Sequence, residues 1–234
     1  MRITFRQTQL YVPLHAPQPD TLFCWQVLIL ATKSQKVFID TDIGNDIDDA
    51  FALAFALQHP DLEVLGISVV GEHNALRARL ARLLLASVGQ DHISVWQGLE
   101  RSPTYSDSGA IPAQLEWAAK QAYVTDEHTA CRCNTEVPDP GSNLAAWDAL
   151  HKVATQNPDE VTLVCLGRLT NVAVALQRFP DLEQKLRGLA IMGGEVDVVR
   201  REHNFAQDYL AADYVLRSSL PIFLATWSVG SQLT

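Results

Sequence analysis

Cysteine is scarce, with four residues in 234: Cys24, Cys131, Cys133 and Cys165. Nothing in that set demands an oxidising compartment. Cys131 and Cys133 stand too close together for a usual zinc knuckle, and no second pair completes one. Cys165 sits in an apolar, strand-like run and reads as a core residue. Basic charge is also short. Lys and Arg total 18 against 27 Asp and Glu, a net charge of -9, which argues against nucleic acid as the main partner. No apolar run approaches the ~20 residues needed to span a bilayer, so no membrane partner is expected. Residues 22–31 have about the length of a signal-peptide core. They lie far from the start, contain Gln26 and lack a convincing small-residue cleavage site. With Pro13, Pro17 and Pro19 breaking regular structure, residues 1–35 read as an irregular extension. The expected location is cytoplasmic, with export as a minor option.

Hydrophobic residues make up 47% and charged residues 19%, a composition suited to one α/β domain of good core size. That domain is expected over residues 36–234. Its organising stretch is residues 36–57. A short apolar run at 37–39 predicts a buried strand. Five aspartates follow within ten residues: Asp40, Asp42, Asp46, Asp48 and Asp49. Ala50, Leu53, Ala54 and Leu57 then share a helical face. The acidic loop therefore lies between a strand and a helix, with Gly44 letting the chain turn. One or two aspartates at a helix start are ordinary. Five carboxylates with nothing basic between them need an outside positive charge, and a hard divalent cation with oxygen ligands is the usual source.

Strand and helix alternate from there. Strands are predicted at 62–70, 93–96, 161–166, 189–192 and 221–226. Helices are predicted at 76–88, 143–155, 170–179 and 209–218. The helix at 76–88 is expected to carry Arg77, Arg79 and Arg82 on its polar side. Within the harder stretch 98–141, one helix is expected near 112–122, and 126–142 reads as loop. The alternation points to a mainly parallel sheet with helices on both faces. Ligands bind such sheets at the carboxyl ends of the strands. The acidic loop is at such an end, as are Thr170, Asn171 and the segment after Met192. The tryptophans read as packing residues, with Trp227 the exception at a strand end. Scattered His15, His59, His92, His128 and His151 read as surface residues, and Arg200-Arg201 as a solvated pair.

Three constellations fall in the strand-end loops: Asp40-Thr-Asp42-Ile-Gly44-Asn-Asp46-Ile-Asp48-Asp49-Ala50, then Leu166-Gly-Arg-Leu-Thr170-Asn171, then Met192-Gly-Gly followed by Glu202-His203-Asn204. Together, and in this order, they resemble the inosine/uridine-preferring nucleoside hydrolase family, over roughly residues 36–228. The first matches the family's DxDxGxDDA-like signature with a longer loop. The resemblance implies a nucleoside-hydrolase-like fold, dimers or tetramers, and a place in purine and pyrimidine salvage. It implies calcium-assisted hydrolysis of the N-glycosidic bond of a ribonucleoside to ribose and free base. Asp42 and Asp49 match carboxylate ligands of the ion, and Thr170 a backbone-carbonyl ligand. Asp48 matches a residue that binds the ribose hydroxyls, and Glu202 and Asn204 match the pair holding the ribose from the opposite side. Where the family has an asparagine for the sugar, either His73 or Asn74 fills the place.

The chemistry suits these residue types in its own right. Breaking an N-glycosidic bond builds positive charge on the ribose, which a carboxylate-rich pocket stabilises. A cation lowers the pKa of a bound water, and Asp42 takes its proton. Carboxylates on the 2′ and 3′ hydroxyls would select ribose over deoxyribose.

Three departures from the family pattern qualify that expectation. A His-Asp pair expected after the strand at 221–226 is not in the sequence to Thr234; its aspartate would complete the calcium shell and its histidine would protonate the departing base. Residues 100–112 only faintly echo a His-Gly-x-x-Gly segment. The loop between Gly194 and Glu202 lacks an asparagine used for the sugar. The chain is therefore expected to be a member whose C-terminal part is missing and whose turnover is impaired. Two alternatives stand beside this: a catalytically weak nucleoside- or ribose-binding pseudoenzyme, and a phosphatase resembling the haloacid dehalogenase type. The latter also place Asp-x-Asp after a buried strand, but Gly44 stands where they carry Thr or Val.

Overall fold

The computed structural model describes residues 34–102, 144–196 and 199–230. The expected helix near 112–122, the loop at 126–142 and the extension up to residue 33 lie outside them. Within them run β1 (Gln35–Thr41), α1 (Asp48–Gln58), β2 (Leu62–Val69), α2 (Asn74–Ser87) and β3 (Val95–Gln97). Then come α3 (Ala146–Gln156), β4 (Val161–Cys165), α4 (Thr170–Arg178), α5 (Leu182–Lys185) and β5 (Leu186–Met192). Last are α6 (His203–Gln207), α7 (Tyr209–Leu216), β6 (Ile222–Ala225) and α8 (Trp227–Gly230).

The six strands form one parallel sheet in the order β3-β2-β1-β4-β5-β6. β1 alternates its side chains between two cores. Val37 and Ile39 face Ile67, Val69 and Val95, together with Leu53 and Leu57 of α1 and Ala81 and Leu85 of α2. Phe38 faces the other side, with Leu163, Leu150 of α3, Leu176 of α4 and Val215 of α7. Strands buried on both faces show as continuous apolar runs, which is why the sequence exposes them. Burying each such side chain contributes roughly 1.5–3 kcal/mol.

The layering has a topological cause. Crossovers between parallel strands are right-handed. The chain winds outward from β1 to β3, then starts again at β4 on β1's other side. That reversal places α1 and α2 on one face and α3, α4 and α7 on the other. It also opens a crevice between the carboxyl ends of β1 and β4, where the two loops diverge. Among the described residues, no helix is long and apolar enough to cross a membrane.

Candidate active site

The loop leaving β1 is built around this crevice. Gly44 takes φ 113°, a left-handed conformation that turns the chain at little cost. The five aspartates then divide. Asp40, Asp42 and Asp49 are buried, whereas Asp46 and Asp48 are exposed. Asp40 points into the sheet, where its Oδ1 accepts from the Ser68 hydroxyl and, at 2.8 Å, from the Asn171 amide. Asp49 accepts from the Thr41 hydroxyl, and that oxygen also accepts from the Ile43 N–H at 3.1 Å. Burial raises Asp40 to about 7. Burial, and then the charge of Asp42, raises Asp49 to about 7. Burial also pushes Asp42 up, while the charges of Arg77, His203 and Arg168 pull it back.

The chain supplies two cations of its own. Arg77 and Arg168 are almost completely buried, at 2% and 1% exposure. Arg77 donates to the Asp42 carbonyl and, at 3.0 Å, to that of Ile43. It also donates to the Glu72 carbonyl at 2.8 Å and the Asn45 side chain at 3.0 Å. Its placement corrects the sequence expectation of a polar-side residue. Arg77 lies four residues before Ala81 and eight before Leu85, both buried on the same helix face. That spacing is the signal that would have found it. Its guanidinium is tolerated there because loop carbonyls satisfy its donors. Arg168 pairs with Glu72 at 3.0 Å and donates to the Glu100 carbonyl at 3.0 Å, tying together the loops after β2, β3 and β4.

The turn from β4 into α4 packs directly on Asp42. A Cβ at Gly167 would lie 2.7 Å from Asp42 Oδ1. Thr170 opens α4 and donates its hydroxyl to Asp208 Oδ2 at 2.6 Å. Asp208 also caps α7 by accepting from the Ala211 N–H at 3.1 Å. Across the crevice, Glu202 caps α6. Its Oε1 accepts from the Asn204 N–H at 2.9 Å, and its Oε2 from Gly194 at 2.8 Å and Phe205 at 3.0 Å. The Asn204 amide donates to the carbonyls of Leu166 at 2.8 Å and Met192 at 3.0 Å, joining the ends of β4 and β5.

These elements enclose a cavity of about 560 Å³. Of the sequence-identified residues, Asp42, Asp48, Asp49, Glu202 and Asn204 line it together. His73, Asn74 and Thr170 are not in its wall. The Asn74 amide turns to the Gly98 carbonyl at 2.7 Å. His73 takes φ 63° before α2, and its buried Nε2 has no partner among the described residues. Arg200, Arg201, His203 and Trp227 also line the cavity. The Arg200 guanidinium lies 3.6 Å from the centre of the Trp227 ring, a cation–π contact. Arg200-Arg201 is thus part of the cavity wall rather than a merely solvated pair. Among the described residues, no group of three or more His, Cys, Asp or Glu side chains is arranged to hold a metal.

The profile of the inosine-uridine preferring nucleoside hydrolases matches residues 37–234. The chain belongs to that family. It is 30% identical over 211 residues to uridine nucleosidase 1 of Arabidopsis thaliana, covering 86% of this chain and 59% of that protein. It is 32% identical over 201 residues to the non-specific ribonucleoside hydrolase RihC of Escherichia coli (strain SMS-3-5 / SECEC), covering 84% and 62%. Among solved structures, a plant nucleoside hydrolase superposes with a TM-score of 0.68 at 27% identity, covering 85% of this chain and 61% of that one. The chain thus spans 59% and 62% of the length of these two curated relatives. The nucleoside hydrolase membership agrees with the parallel sheet and with the crevice at its switch point.

Proposed function

We propose that the chain hydrolyses the N-glycosidic bond of ribonucleosides, releasing ribose and the free base. The observation that carries this reading is the meeting of Asp42, Asp48, Asp49, Glu202 and Asn204 around one nucleoside-sized cavity. Asp42 takes a proton from the attacking water as its oxygen bonds to C1′. The surrounding carboxylates stabilise the positive charge that develops on the ribose. Asp48, Glu202 and Asn204 hold the ribose hydroxyls, and the rim of Arg200 and Trp227 faces the base.

The donor set suits a calcium ion in part. Asp42 and Asp49 are hard oxygen donors that burial has taken out of water, which raises both. These two would hold the ion; Thr170, the third ligand the resemblance implies, lies outside the cavity wall. When bound, calcium would supply the charge that acidifies the water.

The test is hydrolysis of inosine and uridine by the wild type and by Asp42→Asn. The variant is expected to lose about 10²–10⁴ in kcat, with its melting temperature retained. Calcium is expected to raise the melting temperature of the wild type, and less that of Asp42→Asn. The second reading is a nucleoside- or ribose-binding protein without turnover. It is favoured by Glu202, whose two oxygens already accept three backbone amides. Thermal stabilisation by inosine with no product formed would establish it in place of the first.

A further inference from the structure

Asp42 acts as a base only if its carboxylate is held at the angle at which it meets the water. One oxygen is confined by the backbone: the Cβ that Gly167 lacks would stand 2.7 Å from Oδ1. The other, Oδ2, accepts from the Asn45 side-chain amide at 3.2 Å. Asn45 lines the same cavity. It lies three residues beyond Asp42, just past the left-handed turn at Gly44.

The far side of Asn45 decides what it presents to Asp42. Its Oδ1 accepts from Arg77 Nη2 at 3.0 Å. A guanidinium has only donors, so Asn45 turns its oxygen to Arg77 and its NH2 to Asp42. Arg77 is itself held. It is 2% exposed, and its other nitrogens donate to the carbonyls of Glu72, Asp42 and Ile43. A line of fixed hydrogen-bond directions thus runs from α2 through Arg77 and Asn45 to the Asp42 carboxylate. A carboxylate has about four lone-pair sites, so one bond from Asn45 leaves room for the proton of a water. Asp46 and Asp48 also line the cavity, but an ionised carboxylate has no donor to offer Asp42.

We infer that Asn45, oriented by Arg77, is the positioning residue that fixes the Asp42 carboxylate for the attacking water. The inference rests on the hydrolase reading above. A displacement of about 1 Å in a reacting group can cost about 10²-fold in rate. Asn45 acts on the base and not on the bound ribose, so its effect belongs in kcat rather than in KM.

The test is steady-state hydrolysis of uridine and inosine at saturating calcium by the wild type, Asn45→Asp and Asn45→Ala, with a melting curve for each. Asn45→Asp keeps an oxygen for Arg77 and the size of the side chain, and replaces the donor facing Asp42 with an acceptor. It is expected to lower kcat by about 10–100-fold, with KM within about 3-fold and the melting temperature retained. Asn45→Ala is expected to lose as much kcat. The double variant Asp42→Asn/Asn45→Asp is expected to turn over no more slowly than Asp42→Asn, because a residue acting through Asp42 then has no base left to position. Undiminished kcat in Asn45→Asp would overturn the inference, and so would a double variant whose loss is the product of the two single losses. If Asn45→Asp melts lower than the wild type, the double variant still decides. These results leave the hydrolase reading standing. A wild type that cleaves neither nucleoside would remove that reading and the inference together.

Discussion

Asp40 is the most deeply placed carboxylate of the loop, and its environment makes it a pH-dependent element of stability. Burial raises it from 3.8 to about 7, with the Ser68 and Asn171 hydrogen bonds pulling the other way. A carboxyl that binds its proton more tightly when folded stabilises the fold in its protonated form. That contribution is fully present below the unfolded value and is lost as pH rises through about 7. Its ceiling is about 4 kcal/mol. The metal-free protein is therefore expected to melt at higher temperature at a mildly acidic pH than at a mildly alkaline one. Asp40→Asn is expected to flatten that dependence, as differential scanning fluorimetry across the pH range would show. The strand-end position of Asp40 was legible in the sequence. Its separation from Asp42 was not, because only packing decides which carboxylate turns into the sheet and which into the cavity.

At the scale of elements, the turn between β4 and α4 sets the position of Asp42. The close approach of Gly167 leaves no room for a Cβ. Gly167→Ala is expected to displace the Asp42 carboxylate and lower kcat/KM on uridine by at least about 10-fold, at a stability cost of about 1–3 kcal/mol. Steady-state kinetics beside thermal melting would separate the two effects. The longer elements were legible because their apolar periods repeat. The predicted strands at 62–70 and 161–166 became Leu62–Val69 and Val161–Cys165, and the helix at 170–179 became Thr170–Arg178. α5, α6 and α8 were not anticipated, since four or five residues are too few to show a helical period. Arg77 was misplaced because a charged residue was assigned to the solvent face by type, although its spacing put it with Ala81 and Leu85.

On the scale of the whole molecule, β6 ends the sheet among the described residues. Phe223 on that strand is 70% exposed. Such an edge invites pairing with another chain. The 234-residue chain is expected to self-associate with rising concentration and to bind a hydrophobic dye. Phe223→Lys is expected to lower both, measured by light scattering and dye fluorescence, with little change in melting temperature.

Some of this protein was fixed by local pattern alone. Alternating apolar runs and helical stripes determine a parallel α/β sheet, because hydrophobic burial acts on neighbours in sequence. The acidic loop declares itself by spacing in the same way, and the LTN segment and the Glu-x-Asn pair by their resemblance to the family's motifs. Which groups answer the aspartates was decided only by the tertiary structure. Arg77 reaches the Asp42 carbonyl across 35 residues, and Asn171 reaches Asp40 across 131. Electrostatic and hydrogen-bond partners follow distance in space. That distance was set when β4 paired beside β1 and brought the strand-end loops to one crevice.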